Sequence, residues 1–406
     1  WDLTFARPGA LLSKPHDSSP QTATTASTSE SEPAAQENPK LRFYRPELDA
    51  LRFFAFFSVF LYHGLNASKS SHVAGVPYLA LSESIFKASC RFGLSLFFFL
   101  SSYLIATLLQ IEKDKTGTIH LQNFYIRRLL RIWPLYFAYI LLVCLLHNAR
   151  PDFAVNPLQI GLMLAFSGNW FYVWHGFPLS VLDHLWSISV EEQFYLLFPS
   201  AARRASPQML RQGSLVLCAI ALIITFLLAA HGTPDYGLWA NSFVESLFFG
   251  AGAYFATRHA LAQHKKSKAS ALLSISAGFG MWLVAGTMSM VSVSNHSLYA
   301  AVIAGSYLIV ALGCALILWG FLHLPLSLLP KPLIYLGKIS YGLYVFHLMM
   351  LDLSRAFVVR LVHIPGVELL VALLLTIGIA TLSYEYFEKP FLRLKKHFEV
   401  IHSRTA

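Results

Sequence analysis

The sequence predicts an all-α polytopic membrane protein with about ten transmembrane helices and an outer re-entrant segment near residues 157–170. Composition is the first reason. Of the 406 residues, 55% are hydrophobic and 13% charged, and mean hydropathy is +0.53, whereas soluble globular chains carry about 25% charged residues. The second reason is a series of ten apolar runs read as crossing a hydrocarbon layer of about 30 Å. The third is the placing of positive charge, which accumulates between those runs and not in a soluble domain. A formal charge of +10 distributed in this way suits anionic lipid headgroups or an anionic cytosolic ligand, and argues against a nucleic-acid partner.

The chain starts at Trp1, and residues 1–20 lack the continuous apolar core of a secretory signal. Residues 13–39, rich in Ser, Thr, Ala, Pro and Gln, hold too little apolar surface to fold, so 1–43 reads as a disordered cytoplasmic tail. The apolar runs fall at 46–65, 92–111, 129–147, 185–200, 214–231, 239–257, 270–290, 298–322, 333–353 and 366–387. They form one transmembrane domain, 44–394, before a short basic cytoplasmic tail, 395–406. A further run at 157–170 is shorter and broken by Gly161, Gly168 and Asn169. Charge decides its status. With ten spans, Lys40/Arg42/Arg45, the stretch 113–131, Arg203/Arg204/Arg211, 258–268 and 389–396 all fall on the cytoplasmic side, as the positive-inside tendency requires. A crossing at 157–170 would put Arg203, Arg204 and Arg211 outside, so this run reads as re-entrant or interfacial on the outer face. Both termini are then cytoplasmic, in a plasma or inner membrane. Cys90, Cys144, Cys218 and Cys314 have no paired spacing for a disulfide framework or a metal site. No internal repeat or symmetry between halves is visible.

Polar residues inside these runs carry the functional reading. In "LDALRFFAFFSVFLYHG" (48–64), Arg52 and His63 are eleven positions apart, almost three turns, so they share a face about 16 Å apart. Asp49 falls one turn before Arg52 on the same stripe. Ionisable groups at the centre of a span cost at least ~2.5 kcal/mol for Arg or Asp and face a protein interior or a wet cavity. Two readings stand for Asp49 and Arg52: an i,i+3 ion pair tying the first helix to its neighbours, or one wall of a functional cavity. His63, near the outer end, is either a solvated interfacial side chain or a group for proton transfer.

"FYIRRLLRIWPLYF" (124–137) opens the third span with Arg127, Arg128 and Arg131, which suit a phosphorylated ligand through bidentate forks, or anchor the helix at lipid headgroups. "HLWSISVEEQFYLLFP" (184–199) sets Glu191 and Glu192 inside a span beside Trp186, Ser187, Gln193 and Tyr195. Ser187 and Glu191 stack at i,i+4, and Glu192 points about 100° away. Such a carboxylate either pairs with Arg52 or Arg91 as a strut or exchanges protons with a histidine. "LGKISYGLYVFHLMM" (336–350) adds Lys338, Ser340, Tyr341 and His347. "SYEYFEKPFLRLKK" (383–396) closes the last span, with Glu388 read as a helix-end charge near the headgroups and no chemical role.

In this order the stretches resemble the acyltransferase-3 family of integral membrane acyltransferases over roughly residues 44–394. The matching features are "LDALRFFAFFSVFLYH", "SLFFFLSSYLI" (95–105), "FYIRRLLRIWP", "HLWSISVEEQFYLLFP" and "GKISYGLYVFH". One departure is Ser101-Ser102, where the family commonly has a Ser-Gly pair. The resemblance implies transfer of an acyl group, commonly acetyl from acetyl-CoA, to a hydroxyl of a carbohydrate or other small acceptor near the outer face. Acyl-CoA is then a co-substrate, and no metal is implied. On that reading Arg127, Arg128 and Arg131 hold the CoA phosphates and His63 is the general base, a role that contributes roughly 10²–10⁴-fold. Glu191 or Asp49 orients His63, and Arg52 balances those carboxylates or stabilises the oxyanion. Trp186, Ser187, Glu192, Tyr341 and His347 bind substrate. Some family members carry a C-terminal SGNH-type hydrolase domain; this chain ends soon after its tenth span and reads as the stand-alone form. Two rivals remain at this stage: a transporter or flippase of a polar metabolite or lipid-linked sugar, using the same residues as a proton relay, and a non-catalytic scaffold or sensor.

Overall fold

Burial of carboxylates and arginines in an otherwise apolar chain requires helices that turn those groups toward one another, and that is the architecture found. The computed structural model describes residues 44–66, 77–148, 150, 153–259, 267–291, 293–361 and 366–399. The tail expected at 1–43, and residues from 400 onward, lie outside the described residues. Among these there are helices and connecting turns but no strand. The helices are α1 (Pro46–Asn66), α2 (Pro77–Cys90), α3 (Phe92–Thr116), α4 (Leu121–Leu146), α5 (Pro157–Leu164), α6 (Gly168–His175), α7 (Trp186–Arg204) and α8 (Pro207–Ala230). They continue as α9 (Asp235–Trp239), α10 (Ser242–His259), α11 (Lys268–Met288), α12 (His296–His323), α13 (Lys331–Lys338), α14 (Ser340–Leu361), α15 (Val367–Leu382) and α16 (Lys389–Lys395).

Local chemistry sets many of the ends. Asn156, Ser206 and Asn295 accept from backbone N–H groups one turn on, at 2.9, 3.2 and 2.9 Å, and start α5, α8 and α12. Gly117, at φ 74°, ends α3 in a left-handed conformation that costs glycine little. Lys113 reaches across from α3 and donates to the carbonyls of Ala202, Arg203 and Ala205 at 3.3, 2.9 and 2.7 Å, satisfying the last turn of α7 and opposing its negative end. Close helix approach depends on glycine at two places. A Cβ at Gly252 on α10 would collide with the Phe99 carbonyl and the Ser102 hydroxyl. One at Gly337 on α13 would collide with the Asp49 carbonyl and stand 2.9 Å from its Cα. The Ser101-Ser102 departure therefore leaves α3 tightly packed, because the glycine sits on the facing helix.

Seven helical stretches among the described residues are long and apolar enough to cross a membrane, and the α13–α14 pair, bent by 77°, is an eighth if it forms one span. The expected ten are not reached on that basis. Two of the expected spans, 185–200 and 239–257, are helices α7 and α10, but Glu191 and Glu192 on α7 and Glu245 on α10 lower their apolarity. α7 is two-faced: Leu196 and Leu197 are 63% and 70% exposed, whereas Ser187 and Tyr195 are buried. The run at 157–170 is a pair of short helices, α5 and α6, joined by a turn with Phe166 at φ 51°. A π-helical turn, Ser383–Glu388, follows α15. It buries Glu388 against Ser383 Oγ at 3.1 Å while Lys389 pairs with Glu385. Glu388 is thus a packed group and not the headgroup-facing charge expected.

Candidate active site

One end of α1 opens on a cavity of about 100 Å³ lined by six cationic side chains, Arg45, Arg52, Arg127, Arg128, Arg131 and Lys395, against the carboxylates of Asp49, Glu112 and Glu399. Its walls are the first turns of α1, the end of α3, the start of α4 and the turn after α16. Arg52 Nη1 is 3.6 Å from Asp49 Oδ1, with the two side chains 16% and 5% exposed, so the i,i+3 pair exists and also lines the cavity. The three arginines of α4 differ in their commitments. Arg127 donates to Glu112 Oε2 at 3.3 Å and to the Phe398 carbonyl at 2.7 Å. Arg128 lies over the Phe124 and Tyr195 rings, 5.4 and 5.2 Å from their centroids. Neither Arg128 nor Arg131 has a hydrogen-bond or ion-pair partner among the described residues, so two guanidiniums have donors available to an anion.

Beyond this cavity, Glu191 accepts from the Ser101 and Tyr195 hydroxyls. Since Tyr195 also supports Arg128, the carboxylate and the guanidinium share one aromatic ring. Glu192 accepts from Trp133 Nε1 at 3.2 Å, while its other oxygen is buried with no partner among the described residues. Tyr341 is committed to the Ile132 carbonyl at 2.7 Å, joining α14 to α4. Trp186 is buried with its ring near those of Phe98 and Phe177. Ser187 Oγ and Tyr344 OH are 2.6 Å apart, one donating to the other, and lie 3.0 and 2.9 Å from the His184 carbonyl, which accepts from the other hydroxyl.

At the other end of α1, His63 joins a group of imidazoles. Its ring centroid is 5.2 Å from that of His347, which is 4.9 Å from that of His184. His347 Nδ1 is 2.5 Å from the Tyr344 carbonyl. A carbonyl only accepts, so Nδ1 carries the proton and Nε2 presents a lone pair. That Nε2 is buried without a partner among the described residues. His184 Nε2 lies 3.0 Å from the Val345 carbonyl, which fixes its tautomer in the opposite sense. Arg355 donates to the carbonyls of His63 and Gly64 at 3.3 and 3.4 Å, satisfying the end of α1. No three His, Cys, Asp or Glu side chains converge as metal ligands among the described residues.

The sequence-assigned residues therefore divide. Asp49, Arg52, Arg127, Arg128 and Arg131 come together in the cavity, with Glu191 beside Arg128; His63 and His347 meet elsewhere. Asp49 precedes His63 by fourteen positions, about 21 Å of helix, which excludes contact between them. Glu191 is held by Ser101 and Tyr195. Imidazoles, not carboxylates, surround His63. Arg91, considered as a strut for the α7 carboxylates, instead lies over Trp239 at 4.6 Å. Sequence reasoning gave no role to His184, Ser101 or Tyr344, although His184 opens the 184–199 stretch and a third histidine in an apolar segment was the available signal.

A helical, apolar chain with a basic cavity at one end of α1 and a histidine group at the other has the features of an integral membrane enzyme. The chain belongs to the acyltransferase-3 family, described as an acyltransferase domain, whose profile matches residues 45–385. It is 28% identical over 372 residues to the O-acetyltransferase OatA of Staphylococcus aureus (strain NCTC 8325 / PS 47), a match covering 86% of this chain and 57% of the relative. It is 26% identical over 373 residues to the putative O-acetyltransferase SAS0844 of S. aureus (strain MSSA476), with the same coverage. The matched region thus spans little more than half the length of these relatives. No solved structure matches the chain.

Proposed function

We propose that the protein is a membrane O-acyltransferase that moves an acyl group, acetyl from acetyl-CoA, from the cytosolic side to a hydroxyl of a carbohydrate or other small acceptor near the outer face. In this reading ten helices cross a plasma or inner membrane, α5 and α6 form the outer re-entrant segment, and both termini are cytoplasmic. The observation that carries it is the division of α1: Arg52 lines a cation-rich cavity and His63 lies in an imidazole group about 16 Å further along the same helix. Phosphates of CoA would bind Arg128 and Arg131. His63 takes the proton of the acceptor hydroxyl as its oxygen attacks the thioester carbonyl, the C–S bond breaks, and the departing thiolate is protonated by the imidazolium. His347, whose Nε2 is an acceptor, supports the charge that His63 gains. Family membership and the O-acetyltransferase relatives speak for this reading over a transporter or flippase.

The test is transfer of radiolabelled acetyl from acetyl-CoA to envelope glycans by purified protein in lipid nanodiscs. His63→Ala is expected to keep CoA binding and lose acceptor acylation. A folded His63→Ala protein with ordinary turnover would reduce His63 to a packing residue and overturn the mechanism.

A further inference from the structure

We propose that Lys395 is a third phosphate-binding cation of the basic cavity, and that Glu399 holds its place until an anion arrives, leaving Lys395 as a phosphate binds and returning as it departs. The inference rests on the donor reading of that cavity and adds to it a residue pair and an exchange step. Lys395 ends α16 and Glu399 follows the turn Lys396–Phe398, so both lie beyond residues 45–385 of the family profile.

Each carboxylate lining the cavity is paired with a cation that also lines it. Asp49 lies 3.6 Å from Arg52 within α1. Glu112 takes Arg127 at 3.3 Å and accepts from the His120 backbone N–H at 2.8 Å, which ties it to the turn between α3 and α4. Glu399 Oε1 is 3.3 Å from Lys395 Nζ, with the two side chains 4% and 13% exposed. Arg127 Nη1 donates to the Phe398 carbonyl at 2.7 Å and pins the backbone of this turn against α4. Rotation of the Glu399 side chain therefore releases Lys395 while the turn stays in place.

Six cations face three carboxylates, and this excess of positive charge draws an anion in. A phosphate group brings more charge and more acceptor oxygens than a carboxylate, so it can bridge Lys395 to Arg128 and Arg131 in the same cavity. The exchange also has a kinetic use. Acetyl-CoA and the CoA left after transfer carry the same phosphates, so affinity gained there favours donor and product alike and slows product release. A carboxylate that re-forms its ion pair as the phosphate leaves offsets part of that affinity.

Isothermal titration of inorganic pyrophosphate, and separately of CoA, into the full chain in nanodiscs tests this. Glu399→Gln keeps the side-chain shape and removes the competing charge, and is expected to tighten pyrophosphate binding at least about fivefold and to slow CoA release. Lys395→Gln should weaken pyrophosphate binding about tenfold, and Lys395→Arg should restore most of the loss. The double variant decides: on the Lys395→Gln background, Glu399→Gln should no longer tighten binding. Equal tightening on both backgrounds would reduce Glu399 to a contributor to the general field and overturn the exchange, as would unchanged pyrophosphate affinity in Glu399→Gln. Amine labelling read by mass spectrometry needs no Lys395 variant. Glu399→Gln should raise labelling of Lys395 and pyrophosphate should suppress it; labelling indifferent to both would overturn the proposal. Pyrophosphate binding that follows this pattern in a protein that neither prefers CoA nor transfers acetyl would uphold the exchange and refute the donor reading. Acetyl transfer with CoA affinity indifferent to Glu399→Gln would uphold the donor reading and overturn the exchange.

Discussion

Three arginines within five residues of α4 make different commitments, and this gives a sharp prediction about donor binding. Arg127 is bonded to Glu112 and to the Phe398 carbonyl, while Arg128 and Arg131 have no such partners among the described residues. A hydrogen bond to a charged group is worth about 1.5–3 kcal/mol, which corresponds to roughly 10- to 150-fold in affinity. Arg128→Gln and Arg131→Gln should each weaken CoA binding by that amount, with the loss shrinking as salt screens the remaining cations. Arg127→Gln should change CoA affinity by less than about threefold, under ~0.7 kcal/mol, and should instead lower stability because it leaves the buried Glu112 carboxylate short of a partner. Isothermal titration of CoA into nanodisc-embedded protein at low and high salt, alongside thermal unfolding, separates the two effects. Equal affinity losses for Arg127→Gln and Arg128→Gln in folded proteins would refute the argument from commitments.

Gly337→Ala should cost about 1–3 kcal/mol or more through overpacking, because α13 must move away from the Asp49 backbone; an unchanged unfolding temperature would contradict the close approach. CoA affinity should fall with it, since Asp49 and Arg52 line the basic cavity proposed to hold the donor. Asn169 is fully buried, donates to the Ala240 carbonyl at 3.0 Å and Ser242 Oγ at 2.9 Å, and accepts from Gln193 Nε2 at 2.9 Å. Asn169→Ala should therefore destabilise the α6–α7–α10 junction by about 1–3 kcal/mol for each group left unmet with CoA affinity unaltered, and a drop in CoA affinity at constant stability would count against this structural role.

Much of the fold was legible because apolar period and charge spacing act locally. The α1 stripe follows from 3.6 residues per turn, and the run near 157–170 is interrupted, although the break falls at 165–167, where Phe166 takes φ 51°, with Gly161 inside α5 and Gly168 opening α6. The bend between α13 and α14 was not legible. Hydropathy sees 333–353 as continuous, and the break at Ile339 accompanies the packing of Gly337 against Asp49, a contact between segments almost 300 residues apart. The same limit applies to the site. Composition placed cations at the start of α4 but could not rank them, because the partners of Arg127 come from α3 and from the turn after α16. His184 and His347 approach His63 only once α1, the turn before α7 and α14 are assembled.

The stripe on α1 is also not polar throughout. Between Arg52 and His63 stand Phe56 and Phe60, 0% and 1% exposed, and the Phe56 ring meets His347 edge-on at 6.2 Å. On α1 the cavity lining runs from Leu48 to Arg52 and goes no further toward His63. An apolar seal at this position has a physical use on the proposed reading. A protein that takes an anionic donor on one side of a membrane and a hydroxyl acceptor on the other must join the two sites for each transfer without leaving a wet passage, since water between them would hydrolyse the thioester and carry ions. Aromatic side chains have few rotatable bonds and refill the same volume when they return. On the proposed function, Arg52, Phe56, Phe60 and His63 would make one unit: a cation at the donor end, an apolar closure in the middle, and a base at the acceptor end.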